Sequence, residues 1–348
     1  MKFVFLLLVV GFPLLEAADP KAIAEANRAL ALAHEGKYNL AVQHYRSALV
    51  LDPTLPGLHL NLGLAYFKLN QFPDAAAQFE LAAKAAPADF QTTVLLGMSY
   101  YGCRRFSDAA DQFSRASTQQ PDNDELRLRL AQSYMWSKQY DRAKVEFQFL
   151  LARNPDSAPV HILLGEVLDA AKEQDKAISE FEAAVKAAPH DPDAHFGLGY
   201  LYWKQKRFPD ARREFLAELS DQPQHTQALT YCADAEMQIG DENAAQEHLR
   251  LAIKFDPNIR LAHLDLGILL LKHNELQDAA AQFREAIRVD PTSSDAHYRL
   301  ARLLLAMHRY KEANAEFEKV KKLAIEQAPA PIVDIAPRNT LPPPQQQP

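Results

Sequence analysis

Residues 56–89 read PGLHLNLGLAYFKLNQFPDAAAQFELAAKAAPAD, and the spacing of their small, aromatic and proline residues decides the fold. Set as a 34-residue repeat, the stretch puts Leu62, Gly63 and Tyr66 at positions 7, 8 and 11, Ala75 at 20, Phe79 at 24 and Pro87 at 32. A helix turns about 100° per residue, so positions 4, 7, 8 and 11 share one face. The small residue at 8 lets a second helix approach closely, the alanine at 20 answers it, and the ring at 24 fills the gap. Proline at 32 stops the second helix.

The pattern recurs along the chain. Pro53, Pro87, Pro121, Pro155, Pro189, Pro223, Pro257 and Pro291 stand at an unvarying interval of 34 residues. Position 20 is alanine throughout, from Ala41 to Ala313, and position 24 is Tyr45, Phe79, Phe113, Phe147, Phe181, Phe215, Leu249, Phe283 and Phe317. Position 8 is always Gly or Ala. Such a period marks a repeat array, here over residues 22–55, 56–89, 90–123, 124–157, 158–191, 192–225, 226–259, 260–293 and 294–327. Gly36, Asn70, Gly240 and Asn274 at position 15 suit a left-handed helix end. Asn39, Ser107, Asp141, Asp175 and Asn243 at position 18 are expected to cap the second helix. Asp89, Asp122, Asp156, Asp191 and Thr292 are expected to cap the helix that opens the next repeat. The seventh repeat, with Leu249 at 24 and the polar Glu236 and Glu242 at 11 and 17, is an expected weak point. In the first repeat Glu25 and Arg28 replace large apolar residues, as a solvent-facing end layer requires.

Composition narrows the function. With 48% hydrophobic and 24% charged residues this is a folded protein, and its net charge of -7 opposes binding to nucleic-acid phosphates or an anionic membrane surface. Lys2 precedes an apolar run, Phe3 to Leu15, followed by Glu16, Ala17 and Ala18. The run is shorter than the ~20 residues of a spanning helix, so residues 1–18 read as a signal peptide cleaved after Ala17 or Ala18. An exported protein of the bacterial periplasm is expected, which the lack of an Asn-x-Ser/Thr sequon also favours; an uncleaved membrane anchor is the alternative. Cys103 and Cys232 lie four repeats apart, too far to pair in a stacked array. Residues 328–348, rich in Pro and Gln, are expected to be a disordered tail beyond an array of residues 19–327.

These residues carry a resemblance. The pattern of Leu at 7, Gly or Ala at 8, Tyr at 11, Ala at 20, Phe at 24 and Pro at 32 resembles the tetratricopeptide repeat family over about nine-tenths of the chain. One departure is position 4, which is His in five repeats (His59, His161, His195, His263 and His297). The resemblance implies an all-α, right-handed α-solenoid of nine helix-turn-helix repeats serving protein–protein interaction. It also implies that positions 5, 9 and 12 of each first helix line a concave groove. There Phe67, Met98, Tyr101, Met135, Phe196, Tyr200 and Trp203, with Trp136 beside them, are the candidate partner-binding residues, of types that anchor interfaces well. The competing reading of positions 5 and 12 is packing against the neighbouring repeat. Glu166 and Asp169 form an acidic spot in mid-groove, either a seat for a basic ligand residue or a solvated patch. A clamp for acidic C-termini is ruled out, because positions 5 and 9 lack its Lys and Asn; an asparagine ladder at position 6 stops at Asn61, before Leu95.

No catalytic constellation stands out. Cys103 lies beside Arg104 and Arg105 but lacks a base, and no phosphate loop or nucleophile elbow appears. His190, Asp191, Asp193 and His195 crowd a turn, yet they occupy ordinary inter-repeat positions, so neither metal nor cofactor is expected. The expectation is a non-catalytic scaffold of the cell envelope that binds a protein or peptide segment. The alternative is an accessory subunit that positions a partner enzyme in polysaccharide or cell-wall metabolism.

Overall fold

The structure, a computed structural model, describes residues 19–191 and 193–326. The expected signal peptide and the tail lie outside the described residues. Among these, eighteen helices and no strand occur, paired as hairpins. The first five pairs are α1 (Pro20–His34) with α2 (Tyr38–Leu51), α3 (Leu58–Lys68) with α4 (Phe72–Ala85), α5 (Phe90–Gly102) with α6 (Phe106–Gln119), α7 (Asp124–Trp136) with α8 (Tyr140–Arg153), and α9 (Ala158–Ala170) with α10 (Gln174–Ala187). They continue as α11 (Ala194–Lys204) with α12 (Phe208–Asp221), and α13 (Thr226–Ile239) with α14 (Glu242–Phe255). The last pairs are α15 (Arg260–Lys272) with α16 (Leu276–Val289), and α17 (Ser294–Ala306) with α18 (Tyr310–Glu326). The fold is an all-α helical repeat solenoid. It divides after Leu201, within α11, into two compact units. Among the described residues no helix is long and apolar enough to cross a membrane.

The alanine and the ring do what their spacing requires. Every position-20 alanine is fully buried, and Phe79, Phe147 and Phe283 are sealed beside them. A Cβ placed on Gly63 would come within 2.7 Å of the Phe79 ring, and one on Gly267 within 2.6 Å of Phe283. Position 8 is therefore small because the ring of position 24 occupies the space a side chain would need.

The turns follow one geometry whatever residue they carry. Position 15 has a positive φ in all nine hairpins: Gly36, Asn70, Arg104, Lys138, Lys172, Lys206, Gly240, Asn274 and His308. The caps correct the sequence reading. Second helices begin at position 17, so Asn39, Ser107, Asp141, Asp175 and Asn243 sit inside the first turn and do not cap it. Asp141 and Asp175 still favour the helix there, as negative charges near its positive end. Asp89 caps α5 as expected, accepting the Thr92 N–H at 2.7 Å. The caps of α7, α9 and α17 are Asn123, Ser157 and Ser293, each one residue beyond the expected Asp122, Asp156 and Thr292.

Three of the position-4 histidines, His161, His263 and His297, are inter-hairpin clips. His161 Nδ1 lies 2.6 Å from Glu180 of its own hairpin, and its Nε2 lies 2.8 Å from the carbonyl oxygen of Pro155 in the preceding linker. His263 and His297 repeat the arrangement with Gln282 and Pro257, and with Glu316 and Pro291. Arg127 substitutes for the imidazole, donating to Pro121 O at 3.1 Å and to Glu146 at 2.6 Å. In the first hairpin the partners are exchanged, Glu25 facing His44 at 2.6 Å. Where it is complete, the clip ties a hairpin to the proline that ended the one before it.

The seventh hairpin is rebuilt around charge. Glu236, fully buried where other repeats carry Tyr or Leu, accepts from Arg212 at 3.1 Å and faces His248 Nδ1 at 2.8 Å. Arg212 also reaches Asp241 at 2.9 Å. Glu242 pairs with Lys272 and His273 of the next hairpin. The polar residues that mark this repeat as deviant are thus paired.

Candidate partner-binding faces

In each unit one pair of first helices makes direct contact. In unit one α1 touches α3, and in unit two α13 touches α15, whereas among the described residues no two second helices make comparable contact. Helices that converge on one side leave the other splayed, which places α1 and α3, and α13 and α15, on the inner side of their units.

Unit one holds seven of the eight predicted residues. Phe67, Met98, Tyr101, Met135, Phe196 and Tyr200 are half-buried, and Trp136 is 52% exposed. They do not all form one continuous surface. Phe67 packs edge-on against Phe72, with ring centroids 5.5 Å apart, and Tyr101 packs in the same way against Phe106 at 5.2 Å. Trp136 stacks on Phe106 from the next hairpin at 6.0 Å. These rings form a ladder at the hairpin turns in which position 12 leans on position 17. Phe196 stacks on Tyr200 at 6.4 Å. Position 5 is divided: Val94 is buried, and Ile162 packs against Ala158, Ala184 and Ala194 between hairpins. Lateral packing therefore accounts for much of position 5, while positions 9 and 12 keep part of their apolar surface open.

Two further features stand in unit one. A hollow of about 520 Å³ opens by the linkers of the first three hairpins, lined by Leu55, Leu60, Ala82 and Gln91 among others. Glu166 is solvent-accessible, yet surrounding protein and the nearby Asp193 push its carboxyl upward.

Unit two carries Trp203. Its indole N–H donates to Asp234 at 2.5 Å, and its ring meets Tyr231 edge-on at 5.1 Å. Asp265, at position 6 of α15, is 6% exposed, with Oδ2 buried and unpartnered. Burial and the charge of Asp234 raise its carboxyl to about 7. The sequence reading missed both acids; the available signal was an aspartate on a helix face that is otherwise mostly apolar.

Groups with reactive or ligating chemistry are engaged elsewhere. Both thiols are free, and burial pushes both upward, away from the thiolate. Cys232, Glu236 and His248 converge closely enough to share an ion, but Arg212 already neutralises that carboxylate, and a cation would have to compete with it. His195 Nε2 faces the Pro189 carbonyl oxygen at 3.2 Å, the linker half of the clip.

A stack of helical hairpins with an open, ring-bearing inner side defines a binding module. Family models described as TPR repeat match residues 29–70, and models described as tetratricopeptide repeat match 60–124, 104–167, 158–191, 175–226, 196–258 and 270–324. The chain belongs to the tetratricopeptide repeat family of protein-interaction modules. No curated protein matches the sequence. Among solved structures it is similar to pilF of Pseudomonas aeruginosa, at 19% identity and a TM-score of 0.52 over 57% of this chain and 91% of that one. It is also similar to yeast Tom70, at 14% identity and a TM-score of 0.43 over 87% and 92%. A third is YrrB, described as a TPR protein with an unusual peptide-binding site, at 18% identity and a TM-score of 0.45 over 52% and 93%. At such identities the likeness is one of fold.

Proposed function

We propose that this chain is a non-catalytic scaffold, exported to the cell envelope, that holds a peptide or protein segment on the inner face of unit one. The observation that carries the reading is selective exposure. On the helices whose core positions are sealed, Met98, Tyr101 and Met135 remain half-open and Trp136 more than half-exposed. Large apolar side chains left partly in water contribute more once a partner covers them, at roughly 25 cal/mol per Å² of apolar surface. Methionine and aromatic residues suit such a role, the first adaptable and the second large and rigid. The exported setting is supported by the apolar run from Phe3 to Leu15 behind Lys2.

The test is photo-crosslinking in cells that carry the full chain. A photoreactive residue at Met98 or Tyr101 should trap a discrete protein adduct, and one at the exposed outer positions Ala77 or Glu182 should not. Adducts confined to the outer positions would end the inner-face reading.

A further inference from the structure

The inner face of unit two holds an electrostatic imbalance. Asp265 is nine-tenths buried, and its Oδ2 has no hydrogen-bond partner. The carboxylate of Asp234 lies near enough to act on it, and so do Arg299, Arg260 and Asp295. Both arginines are committed elsewhere: Arg299 to Asp295 at 3.0 Å, and Arg260 to Asp290 at 3.6 Å and to Ser293 at 3.4 Å. Asp234 is held in place by the Trp203 indole, and that indole meets the half-buried ring of Tyr231. Two carboxylates, one of them with an oxygen that lacks a donor, thus adjoin two aromatic rings, with Asp234 and Trp203 at positions 9 and 12, which the groove reading takes to face inward.

A buried carboxylate without a donor is costly. A guanidinium or ammonium group reduces that cost by pairing with the half-buried Asp234 carboxylate and so neutralising the pair. The same cation is attracted to an indole or phenol ring. We propose that Asp234 and Asp265, beside Trp203 and Tyr231, form a seat for an arginine or lysine side chain of the bound polypeptide. This rests on the reading of the inner faces as polypeptide-binding surfaces and adds the charge of the ligand. The unpartnered Asp265 is what separates the pair from a solvated acidic patch.

The test uses the full chain labelled with 5-fluorotryptophan. Its two tryptophans, Trp136 and Trp203, give one fluorine signal each, assigned with Trp136→Phe. The probes are N-acetyl-arginine amide, N-acetyl-lysine amide and N-acetyl-citrulline amide, the last a neutral analogue of arginine in shape. Both cationic probes should move the Trp203 signal saturably and leave Trp136 in place, and citrulline should move neither. Asp265→Asn should weaken the arginine response at least tenfold without lowering the melting temperature. An equal response to citrulline, or an unchanged one in Asp265→Asn, would overturn the proposal. The two readings fail separately. Crosslinking at Tyr101 with no cation response at Trp203 overturns the seat alone, while a specific cation response without crosslinks overturns the unit-one groove alone.

Discussion

Asp265 places a titratable group where water barely reaches, and its consequence for stability has a definite sign. Its carboxyl is raised to about 7 in the folded chain, from an ordinary value of 3.8. Between these two values the folded state keeps a proton that the unfolded state has lost, so stability falls as pH rises through that window and levels off above it. The full burden, from one unpaired buried charge, has a ceiling of about 4 kcal/mol. Asp265→Asn removes the group, so its urea midpoint at pH 8 should exceed that of the wild-type chain, with the gap closing by pH 4. A constant gap across that range would show that the folded-state proton is absent. Little of this was legible beforehand. Asp234 and Asp265 are 31 residues apart, and each reads alone as an ordinary polar residue; only stacking brings them together.

At the scale of the helical hairpin, sequence reading succeeded wherever residue type and geometry are tightly coupled. Ala75, Phe79 and Gly63 had to be small, large and smallest, and they pack as the spacing requires. It was incomplete where backbone geometry prevails over side-chain identity. Gly36 and Asn70 announce a left-handed turn, whereas Arg104, Lys138, Lys172, Lys206 and His308 adopt it without any such sign. The position-4 histidines were visible as a departure, but their carbonyl and carboxylate partners lie 6 and 19 residues away. The turns yield a prediction free of packing effects, because Lys138 is exposed at a φ of 61°. A β-branched side chain is strongly disfavoured there and glycine is not. Lys138→Val should cost about 1–2 kcal/mol, while Lys138→Gly should be neutral or slightly stabilising, both read from urea midpoints. If valine is tolerated as well as lysine, the turn relaxes in solution.

Within each unit the described hairpins touch their neighbours and little else, so stability should be distributed along the chain. The buried network of the seventh hairpin offers a way to measure this. Arg212, from α12, reaches both Glu236 in α13 and Asp241 in the turn that follows, and so joins two consecutive hairpins. Arg212→Met leaves Glu236 fully buried with His248 and the Cys232 thiol as its remaining partners. Removing one member of such a buried pair typically costs about 3–5 kcal/mol. In a globule with one cooperative core that loss would appear at every protected amide. In a linear stack it should appear in α12 to α15 and fade with distance, leaving α3 to α8 exchanging hydrogen as in the wild-type chain. Hydrogen–deuterium exchange resolved by peptide reads this directly, and an equal loss of protection in all hairpins would mean that the units unfold as one. A graded response would also give a binding scaffold a useful property: one hairpin could loosen around a partner while distant hairpins keep their shape.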